Sequence, residues 1–186
     1  MTRAERTLAV ATDIAVTLAK HNVPCAVIGA IALAVHGYVR DTEDFDLATA
    51  TDPFRVLTRV EKDLADRYHV ELITPDADDP LGGCLNVTGD DFDLVQVVNY
   101  ENPFSPSAGA PGRAAVATAV PNALGTLAVA DLPHLVALKL YAGGRKSELD
   151  VLELLDRHPE LDPSVLTRVC DGLGLEAKLR EVLGKR

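Results

Sequence analysis

An α/β core followed by an all-helical region is the fold class this 186-residue chain predicts. Three observations carry that expectation. Short apolar runs bounded by Gly, Pro and Asp recur through the first 130 residues, as buried strands do. Segments with apolar residues at helical spacing alternate with them. From Asp131 onward only helical signals remain. An apolar fraction of 47% is enough to fill a core. The expected architecture is a small mixed sheet flanked by helices over residues 1–130. A helical region over 131–186 packs on it, as a separate unit or within a single domain.

Residues 2–20 read as a helix, with Leu8, Ala11, Ala15 and Leu18 on one face and Ile14 beside them. Pro24 breaks it, and CAVIG (25–29) reads as a buried strand that Gly29 ends. Ala30 to His36 is a short helix stopped by Gly37. EDFDLATA (43–50) alternates acidic and apolar residues like a strand. Thr51-Asp52-Pro53 opens a helix to about Arg67, a capping residue followed by first-turn proline.

HVELIT (69–74) is a strand and 75–83 a loop of turn residues. CLNVT (84–88) and DFDLVQVV (91–98) read as strands joined by Gly89-Asp90 in a type II′ hairpin. NPFSPSAGAPGR (102–113), with three prolines and two glycines, is expected to be a mobile surface loop. Thr126 to Ala130 is a last candidate strand. Helices follow from Asp131, then at about 146–157, 162–171 and 174–183.

Charge and composition exclude some function classes. With 18 Lys plus Arg against 28 Asp plus Glu the net charge is −10. That argues against a protein that coats duplex DNA through its phosphates, which needs a clustered positive surface. Cys25, Cys84 and Cys170 form no paired spacing, so they read as reduced thiols of a cytoplasmic protein. No apolar stretch suggests a secretory signal or a membrane span. The five histidines show no i, i+4 pair, which gives a His-based metal site little support.

The chemistry concentrates in VIGAIALAVHGYVRDTEDFDLATA (27–50). On a strand, Asp44 and Asp46 share a face with their Cβ atoms about 6–7 Å apart, while Phe45 and Leu47 face the core. At that distance two carboxylates repel by roughly 2–3 kcal/mol at an effective dielectric of about 20, and a cation between them reverses the sign. Magnesium takes oxygen ligands of this kind together with substrate phosphates. A solvent-facing pair of acids with no ligand is the alternative.

Two blocks of this chain resemble the nucleotidyltransferase superfamily of the DNA-polymerase-β type, in particular its AbiEii-like toxin branch and related small proteins. In the first, Ile28, Gly29, Ala32, His36, Gly37, Arg40, Thr42, Asp44, Asp46 and Leu47 match. In the second, HLVALKLYAGGRKSELDVLELL, the matches are Leu135, Val136, Ala137, Leu138, Lys139, Leu140, Ala142, Gly143, Lys146, Asp150 and Val151. The likeness spans roughly residues 20–155. Gly29-Ala30 stands where the family has Gly-Gly or Gly-Ser, and Gly144 where it has an arginine, with Arg145 one place later.

The resemblance implies a Mg²⁺- or Mn²⁺-dependent, ATP- or other NTP-using nucleotidyltransferase (EC 2.7.7-type), acting by in-line displacement at the α-phosphorus. Asp44 and Asp46 would ligate two metals. A third carboxylate from a neighbouring strand would ligate one of them and take the acceptor's proton: Asp93, with Asp91 as its rival. Gly29 and Ala30 would approach the nucleotide through their backbone. Arg40, Lys139, Arg145 and Lys146 would meet the triphosphate. For three of these cations there is a plainer reading: Lys139 as a rim residue that snorkels, Arg145 and Lys146 as charges at a helix C-terminus. Thr42 and His36 read as a turn hydroxyl and a packed imidazole. The implied acceptor is a tRNA or protein hydroxyl, the implied partner an antitoxin. A catalytically degenerate nucleotide- or partner-binding protein is the alternative.

Overall fold

The computed structural model describes residues 1–121 and 124–185. Helix α1 (Arg3–Lys20) starts at a capping box, with Thr2 accepting from the Glu5 amide and the Glu5 side chain accepting from Thr2. It buries Val10, Ala11, Ile14 and Leu18 and packs Leu8 and Ala15, partly buried, against the core, so the buried face centres on Ile14 and takes in Val10, which the spacing did not mark. Strand β1 (Cys25–Val27), helix α2 (Gly29–Val35) and strand β2 (Asp44–Thr49) follow. The helix after β2 is preceded by a π-helical turn, Pro53–Leu57, which Asp52 caps, and α3 covers Thr58–Ala65. Strands β3 (His69–Ile73), β4 (Cys84–Thr88) and β5 (Leu94–Asn99) complete the first half.

The 102–113 segment departs from its sequence expectation. Its prolines and glycines build turns around buried Asn102 and then helix α4 (Ala110–Ala117), with Pro111 in the first turn. Gly112 is needed there, because a Cβ would lie 1.9 Å from the Tyr100 ring. Two-residue strands β6 (Val120–Pro121) and β7 (Ala128–Val129) lead to helices α5 (Leu132–Ala142), α6 (Gly144–Arg157), α7 (Pro163–Gly172) and α8 (Glu176–Leu183).

The seven strands form one mixed sheet in the order β3-β4-β5-β2-β1-β7-β6. Parallel pairs β2–β5 and β1–β7 sit beside antiparallel β1–β2, β3–β4, β4–β5 and β6–β7. Apolar residues of the sheet, of α1 and α3, and of α5 to α8 share one core. No helix among the described residues is long and apolar enough to cross a membrane.

The second departure is the β4–β5 connection. The expected two-residue hairpin at Gly89-Asp90 is instead a five-residue link, 89–93, and β5 begins only at Leu94. Side chains from α1 hold this link: Arg3 donates to the Asp90 carbonyl (2.9 Å) and the Phe92 carbonyl (2.6 Å), and Arg6 to Asp91 Oδ2 (3.1 Å). The extra residues set which side chains of β5 face which side of the sheet.

Candidate active site

Strand β2 presents Asp44 and Asp46 on its open face and buries Phe45 and Leu47. The turn into α2 lies directly beneath them. Gly29 has a left-handed φ of +64°, and a Cβ there would come within 2.0 Å of Asp46 Oδ2. Only glycine accommodates both the conformation and the contact. The Ile28 amide donates to the Asp46 carbonyl at 3.0 Å, which ties the turn to the strand. Thr42 donates its hydroxyl to the Asp44 carboxylate, so the predicted turn hydroxyl also orients one of the two acids.

Burial first, and then the adjacent Asp44 charge, raise the Asp46 carboxyl to about 6, against the opposing pull of Lys139, Arg40 and Lys146. Those three cations therefore all act on Asp46. Lys139 reaches inward, not to a rim: its Nζ lies 2.8 Å from Asp150 Oδ2, with only 12% of the side chain exposed. Arg40 meets the same carboxylate through Nε (3.1 Å) and Nη2 (3.4 Å). Asp150 is 1% exposed. A buried anion with two cations leaves a net positive charge beside Asp44 and Asp46.

The second block folds around a break that sequence periodicity does not reveal. Gly143 and Gly144 both adopt positive φ (68° and 78°), so α5 ends and α6 begins between Lys139 and Asp150. This hairpin lets Asp150 fold back onto Lys139. It also puts Arg145 and Lys146 in the first turn of α6, not at a helix C-terminus. There their charges oppose the helix dipole, an arrangement suited to an anionic ligand. Lys146 lines an open cleft of about 370 Å³ with Asp41, Thr42, Glu43 and Asp44. Arg145 is exposed beside it and is not among the charges that act on Asp46. Ala30 is buried in the first turn of α2.

Asp93 is not brought to the pair. The preceding link places it with Arg3 (Nε to Oδ1, 2.5 Å) and Thr7 (Oγ1 to Oδ2, 3.2 Å; the Asp93 amide donates back at 2.9 Å), on the α1 side of the sheet. Asp91 pairs with Arg6 of α1 in the same link. The residue level with Asp46 on β5 is Gln96, whose Nε2 donates to Asn86 Oδ1 at 2.9 Å. Among the described residues no group of three or more His, Cys, Asp or Glu side chains is placed to hold a metal ion. Asp44 and Asp46 nevertheless fit one hard divalent cation: two carboxylates on one face, one oriented by Thr42 and one burdened by burial.

His36 is structural, as expected. Its Nε2 lies 2.9 Å from the Ala130 carbonyl, and His158 Nε2 lies 2.8 Å from the His36 carbonyl. Sequence reasoning passed over the residues on the other side of Asp46. Cys84 Sγ lies 3.3 Å from Asn86 Oδ1, and burial first, then the charges of Asp46, Asp79 and Glu71, together raise the thiol to about 11. Burial and the Asp46 charge also push Tyr100 upward. The site is thus basic toward α5 and α6 and acidic toward β3 and β4.

No family model and no curated protein sequence matches the chain. Solved structures do. ANT(2'')-Ia, an antibiotic-resistance factor solved in solution, aligns over 97% of this chain and 95% of its own at 14% identity and a TM-score of 0.53. A crystal structure of ANT(2'')-Ia with adenylyl-2''-tobramycin covers 89% and 95% at 12% identity, TM-score 0.52. The fold is that of a nucleotidyltransferase. An antigenic nucleotidyltransferase-like protein from Paracoccidioides brasiliensis shares it over 98% of this chain and 94% of its own, at 16% identity and a TM-score of 0.51. In this chain's nucleotidyltransferase fold, Asp44 and Asp46 stand on the strand that runs between β1 and β5.

Proposed function

We propose that this protein binds a nucleoside triphosphate with a divalent cation and transfers the nucleoside monophosphate to a hydroxyl acceptor. The observation that carries this reading is the Asp44–Asp46 pair set over the Gly29 turn and faced by Lys139, Arg40 and Lys146. Mg²⁺ or Mn²⁺ held by Asp44 and Asp46 would neutralise charge on the phosphates. Lys146 and the first turn of α6 meet the triphosphate's outer charge, and Lys139 and Arg40, fixed by Asp150, hold the inner part. The Gly29 and Ala30 backbone closes the pocket under it. In the transfer the acceptor oxygen bonds to the α-phosphorus, the bond from that phosphorus to the bridging oxygen breaks, pyrophosphate leaves, and the acceptor's proton passes to solvent.

The acceptor follows from the opposite half of the site. The expectation from sequence is a tRNA-like RNA or a protein hydroxyl, in the setting of a toxin with an antitoxin partner. The acidic surroundings of Cys84, with Asp46, Asp79 and Glu71, favour a neutral or positively charged acceptor over a polyanion. The neighbour solved with adenylyl-2''-tobramycin supports the same preference. Incubating the protein with Mg²⁺ and each α-labelled NTP, in separate arms with total RNA, tobramycin or the protein alone, tests the reading. Label transfer that disappears in Asp46→Asn is expected in one arm, and its absence from every arm contradicts transfer. A second reading is favoured by Gln96: a protein that holds the nucleotide without transferring it. Calorimetric NTP binding with no label in any arm would select it.

A further inference from the structure

The face of the sheet around Asp46 is defined by register. Parallel pairing sets Asp44 against Leu94 and Asp46 against Gln96. Antiparallel pairing then sets Gln96 against Asn86, and Val98 against Cys84. On the β5 and β4 side, the side chains nearest the carboxylate pair on this face are therefore neutral: Leu94, Gln96, Asn86 and Cys84. The Gln96 amide is held in place by its 2.9 Å bond to Asn86. The carboxylate nearest in sequence, Asp93, is committed to Arg3 and Thr7 on the far face. On the other flank stand the cations Lys139 and Arg40, both fixed by Asp150.

Two divalent ions working together in a displacement lie about 3.5–4 Å apart. Like charges that close need bridging anions, and each ion also needs donors of its own. The ion that enters with a triphosphate draws several oxygen ligands from the phosphates. An ion on the acceptor side lacks those oxygens and takes its further anionic ligand from the protein. In this chain that place is filled by an uncharged amide. We infer that the Asp44–Asp46 pair holds a single divalent cation, the one that arrives with the nucleotide, and that Gln96 is the residue that leaves a second ion unsupported. The inference rests on the nucleotide reading above, and its failure is separable from the failure of that reading.

Mn²⁺ titration followed by electron paramagnetic resonance, with α,β-methylene-ATP present and a nucleotide-only blank, counts the ions per protein. The wild type is expected to bind one Mn²⁺ per protein–nucleotide complex, Gln96→Ala to keep one, and Gln96→Glu to bind two. Asp46→Asn should bind none. Two ions in the wild type, both lost in Asp46→Asn, would overturn the inference while leaving nucleotide binding intact. A folded Gln96→Glu protein that still binds one ion would overturn the role given to Gln96. No Asp46-dependent Mn²⁺ in the wild type overturns this inference and the nucleotide reading together. If Gln96→Glu fails to fold by circular dichroism, Gln96→Asp takes its place, and the wild-type count alone still decides between one ion and two.

Discussion

A methyl group at Gly29 would press on the Asp46 carboxylate at 2.0 Å and force a left-handed backbone on a residue that resists it. The conformational part alone costs about 1–2 kcal/mol. Gly29→Ala is therefore expected to lower stability by at least that much in urea titrations and to abolish nucleotide binding. Asp46 itself gives a pH signature. Its carboxyl stands at about 6 in the folded protein, above its ordinary value of 3.8, so the folded state holds a proton that the unfolded chain has already released. Stability drawn from this group is greatest below pH 4, falls between pH 4 and 6, and stays low above. Two units correspond to about 2–3 kcal/mol. Asp46→Asn should thus be more stable than wild type at pH 8 by about that order, with the difference vanishing toward pH 4. A constant difference across that range would contradict the buried setting.

Among the elements, the α5–α6 hairpin and the β4–β5 link decide which residues meet. Asp150 pairs with two inward cations, and removing one member of such a cluster costs about 3–5 kcal/mol by leaving unpaired buried charge. Asp150→Ala should lower the urea midpoint accordingly and weaken nucleotide binding through Lys139 and Arg40. The link has the opposite consequence: Asp93→Ala should leave nucleotide and metal binding unchanged, because Arg3 and Thr7 hold that side chain on the α1 side. The carboxylate pair and the glycine turn were legible in sequence because they depend on local periodicity and on one backbone conformation. Asp93 was misassigned because its face depends on the number of residues in the 89–93 link, which arginines from α1 hold and no local pattern encodes. Asp150 was visible as part of a motif, but its role needed the Gly143–Gly144 break that folds α6 back on α5. Helix α4 was hidden by Pro111 and Gly112, residues that read as loop until Tyr100 packs against them.

On the scale of the whole molecule, a net charge of −10 is distributed so that the candidate site has two unlike halves. Lys139 and Lys146 from the helical half and Arg40 from the α2–β2 connection act on Asp46, and Glu71 and Asp79 stand toward β3 and β4. The passage from mixed α/β structure to helices alone was readable at the change of pattern near Asp131. That α5 to α8 share one apolar core with the sheet was not, since long-range packing leaves no local trace. The helical half supplies Lys139, Lys146 and the anchor Asp150, the α/β half supplies Arg40 and the two carboxylates, and the site exists only where they meet. Calorimetric titration of Mg²⁺·ATP and the other Mg²⁺·NTPs into wild type, Asp46→Asn and Asp93→Ala tests that meeting most directly. The expected result is binding of at least one nucleotide to wild type and Asp93→Ala with equal affinity, and none to Asp46→Asn. Absence of binding to wild type, or loss of binding in Asp93→Ala with retention in Asp46→Asn, would contradict it.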